Sequence, residues 1–377
     1  DIHAELAEVL TEAGRFDEAS AAVEAMRTSP ARDLPDKRGI YEVADAWLRW
    51  LQEPEEYARS STIVDAILGD VRLGKDDRRL ASAWRVRGNL AWITVDADRA
   101  IPAWEQALKH DRRAGNVRGI GQDVALLATA HFFGPTPVTE AIAACEILLQ
   151  EGGDHPFLAG PVLSNLAVLH AMRGDFTSAH RLKEAARKLL DDLSLTLFSA
   201  STAAQNFGMI GILEEDYATA AEELERGLVV LEAMGEKNYA STNAAMLAEA
   251  RLMVGDRVEA KRLEQLARAY GAEHDLATQT VALSVQARLF ALDGRMDEAI
   301  LAANEAVQGS ERVNERMIFH AGAVLALAEV LKASGDPTRA QHEAERARAA
   351  FARKGNRPMA ARAQQLIDAL DGHRSPR

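Results

Sequence analysis

Apolar residues recur every three or four positions along nearly the whole of this chain. Leu163, Leu166 and Ala167 form one such stripe, and Leu247, Ala248 and Leu252 form another. That spacing describes one face of an α-helix. Alternating apolar and polar runs, the mark of a half-buried strand, do not occur. The pattern predicts an all-α chain.

A longer period lies over the stripes. Nine alanines, Ala19, Ala58, Ala100, Ala141, Ala179, Ala220, Ala260, Ala299 and Ala340, are separated by 38 to 42 residues. A repeat of about 20–50 residues marks a stacked array of supersecondary units. Two further small positions keep the register. Twelve residues before each alanine stand Ala7, Ala46, Gly88, Thr129, Ala167, Gly208, Ala248, Ala287 and Ala328. Seven residues after it stand Ala107, Ala186, Gly227, Ala267, Ala306 and Ala347 in six units. Small residues at fixed points let two helices approach to about 8–10 Å between axes.

The connections read as tight helix–helix turns. Gly14, Gly174, Gly255, Gly294 and Gly335 each precede a ladder alanine by five residues. In Gly174-Asp175-Phe176-Thr177-Ser178-Ala179 the glycine ends one helix in a left-handed conformation and the aspartate caps the next. Units 2 and 4 are irregular. Unit 2 turns at Gln52-Glu53-Pro54-Glu55-Glu56 and carries Asp65 at a small position. Unit 4 turns at Phe133-Gly134-Pro135-Thr136-Pro137, where two prolines end the first helix.

Small residues at three points around a Gly-Asp/Arg-aromatic turn resemble the tetratricopeptide repeat (TPR), over nearly the whole chain. The usual TPR period is about 34 residues. The longer period here is similar to repeats found C-terminal in bacterial signalling ATPases, nucleotide cyclases and transcriptional regulators. The resemblance implies a TPR-like α-solenoid of about nine helix-turn-helix hairpins in a right-handed superhelix. It implies one array over residues 1–371, with a capping helix over 359–370 and a disordered tail over 372–377. A chain that starts at Asp1, almost at the head of a repeat, reads as a domain cut from a larger protein.

Composition changes this picture in few places. A length of 377 residues alone suggests two or three domains, but a solenoid grows by adding units and needs no single core. A net charge of −13 argues against a nucleic-acid surface. The basic clusters at Lys109–Arg113 and Arg181–Lys188 read as solvated helix faces. Cys145 is the only cysteine, which excludes an internal disulfide and fits a reducing cytoplasm. No secretory leader and no membrane-length apolar run occurs.

Sites of chemistry are not found. No phosphate-binding loop is present, and Gly119-Ile120-Gly121 has Val124 where a dinucleotide motif needs its third glycine. His170 and His180 flank one turn but lack a third metal ligand. Cys145 reads as a buried, inert thiol. Glu214, Glu215 and Asp216 read as a turn. The expectation is a non-enzyme with no catalytic residue, cofactor or metal.

A ligand would lie against the first helix of each hairpin, on the concave side of the array. Counting about 18, 15, 14, 11 and 8 residues back from each ladder alanine gives the inward positions. They include Trp47 and Trp50 in unit 2, and Arg85, Asn89 and Trp92 in unit 3. Asn165, Gln205, Asn206 and Met209 follow in units 5 and 6, then Glu249 and Arg288 in units 7 and 8. Amides that both donate and accept suit an extended peptide backbone, and tryptophan supplies large contact area at low entropic cost. Arg85 and Asn89 match two positions of the clamp with which some TPR domains hold a C-terminal carboxylate. Leu127 stands where a second asparagine is expected, which leaves the clamp incomplete. The reading is a non-catalytic protein- or peptide-binding regulatory module of a larger bacterial signalling or transcription-regulating protein. An upstream ATPase or cyclase domain is one expected partner, and nucleic acid and membrane are not. A peptide-pheromone receptor groove and a plain assembly scaffold or oligomerisation domain are the alternatives, and the oligomeric state is open.

Overall fold

A computed structural model describes residues 2–32, 40–53, 57–69, 76–94, 96–151, 156–193, 195–273, 275–311 and 317–371. Every regular element among them is helical. The helices pair as hairpins: α1 (Ile2–Glu12) with α2 (Phe16–Thr28), α3 (Ile40–Gln52) with α4 (Tyr57–Leu68), and α5 (Asp77–Ile93) with α6 (Ala97–Ala114). Next come α7 (Val117–Phe133) with α8 (Val138–Glu151), and α9 (Pro156–Met172) with α10 (Phe176–Asp192). The sixth hairpin opens with α11 (Thr196–Phe198), a π-helical turn (Ser199–Ala203) and α12 (Ala204–Glu214), and returns through α13 (Tyr217–Met234). Then follow α14 (Asn238–Met253) with α15 (Arg257–Tyr270), α16 (Leu276–Leu292) with α17 (Met296–Glu311), and α18 (Ile318–Ala333) with α19 (Pro337–Lys354). A last helix, α20 (Arg357–Asp371), caps the stack. Among the described residues the fold is the expected TPR-like array of nine hairpins and a closing helix. The expected tail over 372–377 and most of the unit 2 turn lie outside the described residues.

The alanine ladder is the seam of each hairpin. Ala19, Ala100, Ala141, Ala179, Ala220, Ala260, Ala299 and Ala340 are all fully buried. Each is the fourth residue of its second helix. Ala58 is the exception and is exposed. It sits in the first turn of α4, before that helix meets its partner. Ser60 and Val64 take the buried positions instead, and Ser60 lies 41 residues after Ala19 and 40 before Ala100. The small residues set how closely helices press. A Cβ on Gly88 would lie 2.4 Å from Trp104 Cδ1, and one on Gly208 would lie 2.5 Å from Leu224 Cγ.

The turns follow the expected chemistry. The five turn glycines all have positive φ, between 72° and 89°. In unit 6 the same left-handed position is held by Glu215, at φ 62°. Asp175 accepts a hydrogen bond from Ser178 N at 3.1 Å, and Asp216, Asp256 and Asp336 cap their helices in the same way.

The curvature is what the period does not encode. The superhelix coils so tightly that hairpins five apart touch. Lys237 N of α14 donates to Leu51 O of α3 at 3.2 Å. The Tyr239 ring meets Trp50 edge-on at 5.8 Å. Leu10, Leu51 and Val86 share one buried apolar cluster with Leu197 and Leu247. Two hairpins further on, Phe319 of α18 stacks on Phe133 at 5.2 Å. Lys354, at the end of α19, donates to His131 O, Gly134 O and Thr136 O at 2.8, 2.7 and 2.7 Å. Helix α20 packs on α9, α12 and α18, first helices whose inner faces would otherwise line the groove. The concave side is therefore enclosed.

Candidate functional site

Closure of the first six hairpins leaves a cavity of about 600 Å³ at the centre of the superhelix. Such a volume lies within the range of about 300–1,000 Å³ typical of ligand pockets. Helices α1, α3, α5, α7 and α9, the π-turn and α12 supply its wall, with Tyr239 of α14 closing one side. Among the expected inward residues, Trp47, Arg85, Asn89, Trp92 and Gln205 line it.

The others are placed elsewhere, for geometrical reasons. Asn165 and Asn206 are fully buried. Their position, fourteen before the ladder alanine, is turned about 60° from position eleven and faces the neighbouring helix. Asn165 Nδ2 donates to Pro161 O at 3.1 Å, and Asn206 Nδ2 donates to Ser164 Oγ and Asn165 Oδ1 at 3.3 Å. They tie α9 to α12 and do not form an asparagine-lined groove. Trp50 is 3% exposed, stacked on Trp47 at 4.8 Å and sealed by Tyr239. Met209 packs between two apolar clusters. Glu249 and Arg288 pair at 3.3 Å, and Arg288 also pairs with Glu329 at 2.7 Å. Arg362 of the cap reaches Glu329 at 2.9 Å and Tyr217 Oη at 3.2 Å. The inner face of units 7 to 9 is thus an ion ladder closed by α20.

At the cavity floor Arg85 is held by two carboxylates. Its Nε donates to Asp123 Oδ1 at 2.7 Å, and its Nη2 pairs with Asp111. Asn116 Nδ2 donates to Asp111 Oδ1 at 2.8 Å. Asn89 Oδ1 accepts from Trp104 Nε1 at 3.0 Å. Arg85 and Asn89, the two clamp-like residues, are therefore bound to their own protein. Burial pushes Asp123 up to about 7 despite the attraction of Arg85, and Asp111 adds to the rise. Asp111 sits in the basic cluster read as a solvated face, and it is 0% exposed.

The acidic wall comes from α1, which the sequence reading left out. Glu5, Glu8 and Glu12 share its inner face at helical spacing. Glu5 pairs with Arg78 at 2.8 Å. Among the described residues Glu8 accepts from Ser82 Oγ, at 3.2 Å, and Glu12 from Gln122 Nε2, at 3.3 Å. Desolvation raises the pKa of both carboxyls, against the attraction of Arg85 and Arg118. On sequence alone this row looks like a solvated face, because nothing local shows that the superhelix folds back over it.

The opposite wall is the π-turn. Its wide turn lies on Gly227 of α13, where a Cβ would come within 2.4 Å of Ala200 O. Asn243 Nδ2 donates to Ala200 O at 2.9 Å. Phe198, Ser201, Thr202 and Gln205 thereby face the cavity. Gln205 is 5% exposed, and its Nε2 has no hydrogen-bond partner. A buried amide donor left unmade costs about 1–3 kcal/mol, so this atom is an open valence on the cavity wall.

Elsewhere the chemistry-bearing residues pair locally. His170 pairs with Asp175 at 3.2 Å and His180 with Glu214 at 2.8 Å. Burial pushes the Cys145 thiol up to about 12. Among the described residues no three metal-ligating side chains converge, and no helix is long and apolar enough to cross a membrane.

No protein-family model and no curated protein matches the chain. Among solved structures it is similar to a Rap protein complexed with competence and sporulation factor, at 12% identity, covering 99% of this chain and 97% of that one, with a TM-score of 0.47. It is similar to a signal-transduction ATPase with a tetratricopeptide-repeat sensor from Pyrococcus horikoshii, at 12% identity and TM-score 0.47, covering 86% of this chain and 50% of that one. A tetratricopeptide-repeat protein from Parabacteroides merdae aligns at 15% identity and TM-score 0.40, covering 84% of this chain and 98% of that one.

Proposed function

We propose that this chain is a non-catalytic regulatory module that takes a peptide into its central cavity, working in the cytoplasm as part of a larger bacterial signalling protein. The observation that carries the reading is Gln205 Nε2, a buried donor without a partner on the wall of a cavity of about 600 Å³. Trp47 and Trp92 supply the apolar contact area there. Phe133 gives the site an outlet, since one side of its ring lines the cavity and the ring also stacks on Phe319 of α18. A ligand that displaces Phe133 changes how unit 9 closes on unit 4.

Selection of a random heptapeptide library on the immobilised chain tests this. Enriched peptides should bind the free chain in solution and lose affinity on Gln205→Ala or Trp47→Ala. Binding should also change amide exchange at His131–Thr136 and along α19. The reading fails if no peptide is enriched, or if the enriched peptides bind the two variants as well as the parent.

A further inference from the structure

Resting on the reading that a peptide occupies the cavity, the geometry points to a cationic one: a peptide whose arginine or lysine head seats between Glu8 and Glu12. The cavity wall carries several charges, and most are closed by their own protein. Glu5 is paired with Arg78, Asp76 with Arg79 at 2.9 Å, and Arg85 with Asp111 and Asp123. Glu8 and Glu12 are the exceptions. Each carboxylate receives one neutral donor, Ser82 or Gln122, and forms no ion pair among the described residues. Arg85 and Arg118 attract both carboxylates, and Arg118 donates to the backbone carbonyl of Glu8 at 3.4 Å.

Four residues apart on one helix, the two carboxylates stand on the same face about 5–6 Å apart at their Cβ atoms. A planar guanidinium with its fork of donors spans such a gap and can bond both sides. Trp47 and Trp92 on the cavity wall take the aliphatic stem and add attraction between cation and ring. On the far wall Gln205 offers its free N–H to a carbonyl of the ligand backbone. The cavity is thus polar in a fixed sense, with a cation seat on α1 and an acceptor seat on α12.

Two pools of acetylated, amidated tetrapeptides test the assignment, one containing arginine and the other citrulline, its neutral isostere. Retention on the full chain is read by equilibrium dialysis and mass spectrometry. Arginine peptides should be held about tenfold or more over their citrulline twins for each carboxylate engaged. The double variant Glu8→Gln with Glu12→Gln keeps side-chain shape and should erase the preference, while the surface control Glu18→Gln should keep it. Unchanged thermal melting of the double variant shows that the loss is not unfolding. Equal retention of both pools overturns the cation seat and leaves peptide binding standing. A preference that survives in the double variant overturns the placement. Retention of neither pool overturns the peptide reading as well.

Discussion

Lys354 offers the most direct handle on closure, because one ammonium joins residues more than two hundred positions apart. Its Nζ donates to His131 O, Gly134 O and Thr136 O at 2.7–2.8 Å, across the α7–α8 turn. Hydrogen bonds to a charged group are each worth about 1.5–3 kcal/mol, so three supply roughly 5–9 kcal/mol. Against them stands desolvation of the ammonium, which lowers its pKa from 10.5 to about 7. At about 1.4 kcal/mol per pKa unit that opposes the bonds by roughly 5 kcal/mol. The net worth of the lysine is small, but its removal is not, because the carbonyls remain. Lys354→Met fits an apolar stem of similar length and leaves three acceptors under it. Leaving a buried acceptor unsatisfied costs about 1–3 kcal/mol, and for the three together we expect about 3.

Two measurements are needed, since lost stability alone would fit any buried substitution. Urea unfolding reads the free energy. Small-angle scattering of the folded variant reads closure, and its radius of gyration should rise as unit 9 parts from unit 4. Tryptophan emission should shift too, because Trp92 touches Phe133 with ring centroids 6.4 Å apart. A variant within 1 kcal/mol of the parent and with unchanged scattering, a margin of about fivefold in the folding equilibrium, refutes the argument. It would mean that the Phe133–Phe319 stack and α20 hold the superhelix without the lysine.

Asp123→Asn tests the buried Arg85 cluster. With the Asp123 pKa raised from 3.8 to about 7, the folded parent keeps a proton that the unfolded chain releases. Its stability therefore falls as pH rises through that window. The variant should lack the Asp123 part of this slope and gain on the parent between about pH 4 and 7 in urea titrations; parallel curves refute it. Gly88→Ala drives a methyl into the Trp104 ring and should cost about 1–3 kcal/mol by overpacking, read as a lowered melting temperature. Glu215→Gly relieves a left-handed non-glycine residue and should stabilise by about 1 kcal/mol in the same melt. Gln205→Met removes the unpaired amide, so the free protein should gain about 1 kcal/mol while peptide affinity in solution falls.

The hairpins were legible because each is made by contacts local in sequence. A glycine, a capping aspartate and an alanine within six residues define one turn, and the same three recur. Where a unit departs, the departure has a local cause. Ala58 fails as the ladder residue because α4 starts only at Tyr57, and Ser60 takes its place. The cavity was legible only in part. Position counting found Trp47, Arg85, Asn89, Trp92 and Gln205, which share one side of their helices. Eleven before Ala19 the register also gives Glu8, which the reading passed over; the enclosure of Glu8 and Glu12 comes from α5 and α7, and that of Asp111 from Arg85, 26 residues back. Those contacts depend on curvature, which is the sum of small rotations between hairpins and has no local signature.

Position eleven before the ladder alanine runs through the whole interior and shows why the two halves differ. In units 7, 8 and 9 it is Glu249, Arg288 and Glu329, of alternating sign and paired in sequence. Their mutual attraction outweighs burial and holds Glu329 below and Arg288 above their ordinary pKa ranges. Arg362 completes the row from the cap, supplying the cation that an incoming ligand would otherwise bring. In unit 1 the same position is Glu8, which has no cation beside it in the row; in unit 3 it is Asn89, already given to Trp104, and in unit 6 Met209, which carries no charge. The N-terminal interior therefore has no ladder of its own. Its open carboxylates come from α1 and its open donor from Gln205, on opposite walls of one cavity. The inner face is satisfied in units 7 to 9, where Arg362 completes the ion ladder, and left open at Glu8, Glu12 and Gln205 in units 1 and 6. That asymmetry, more than the cavity's size, is why the ligand site proposed above lies in the first six hairpins.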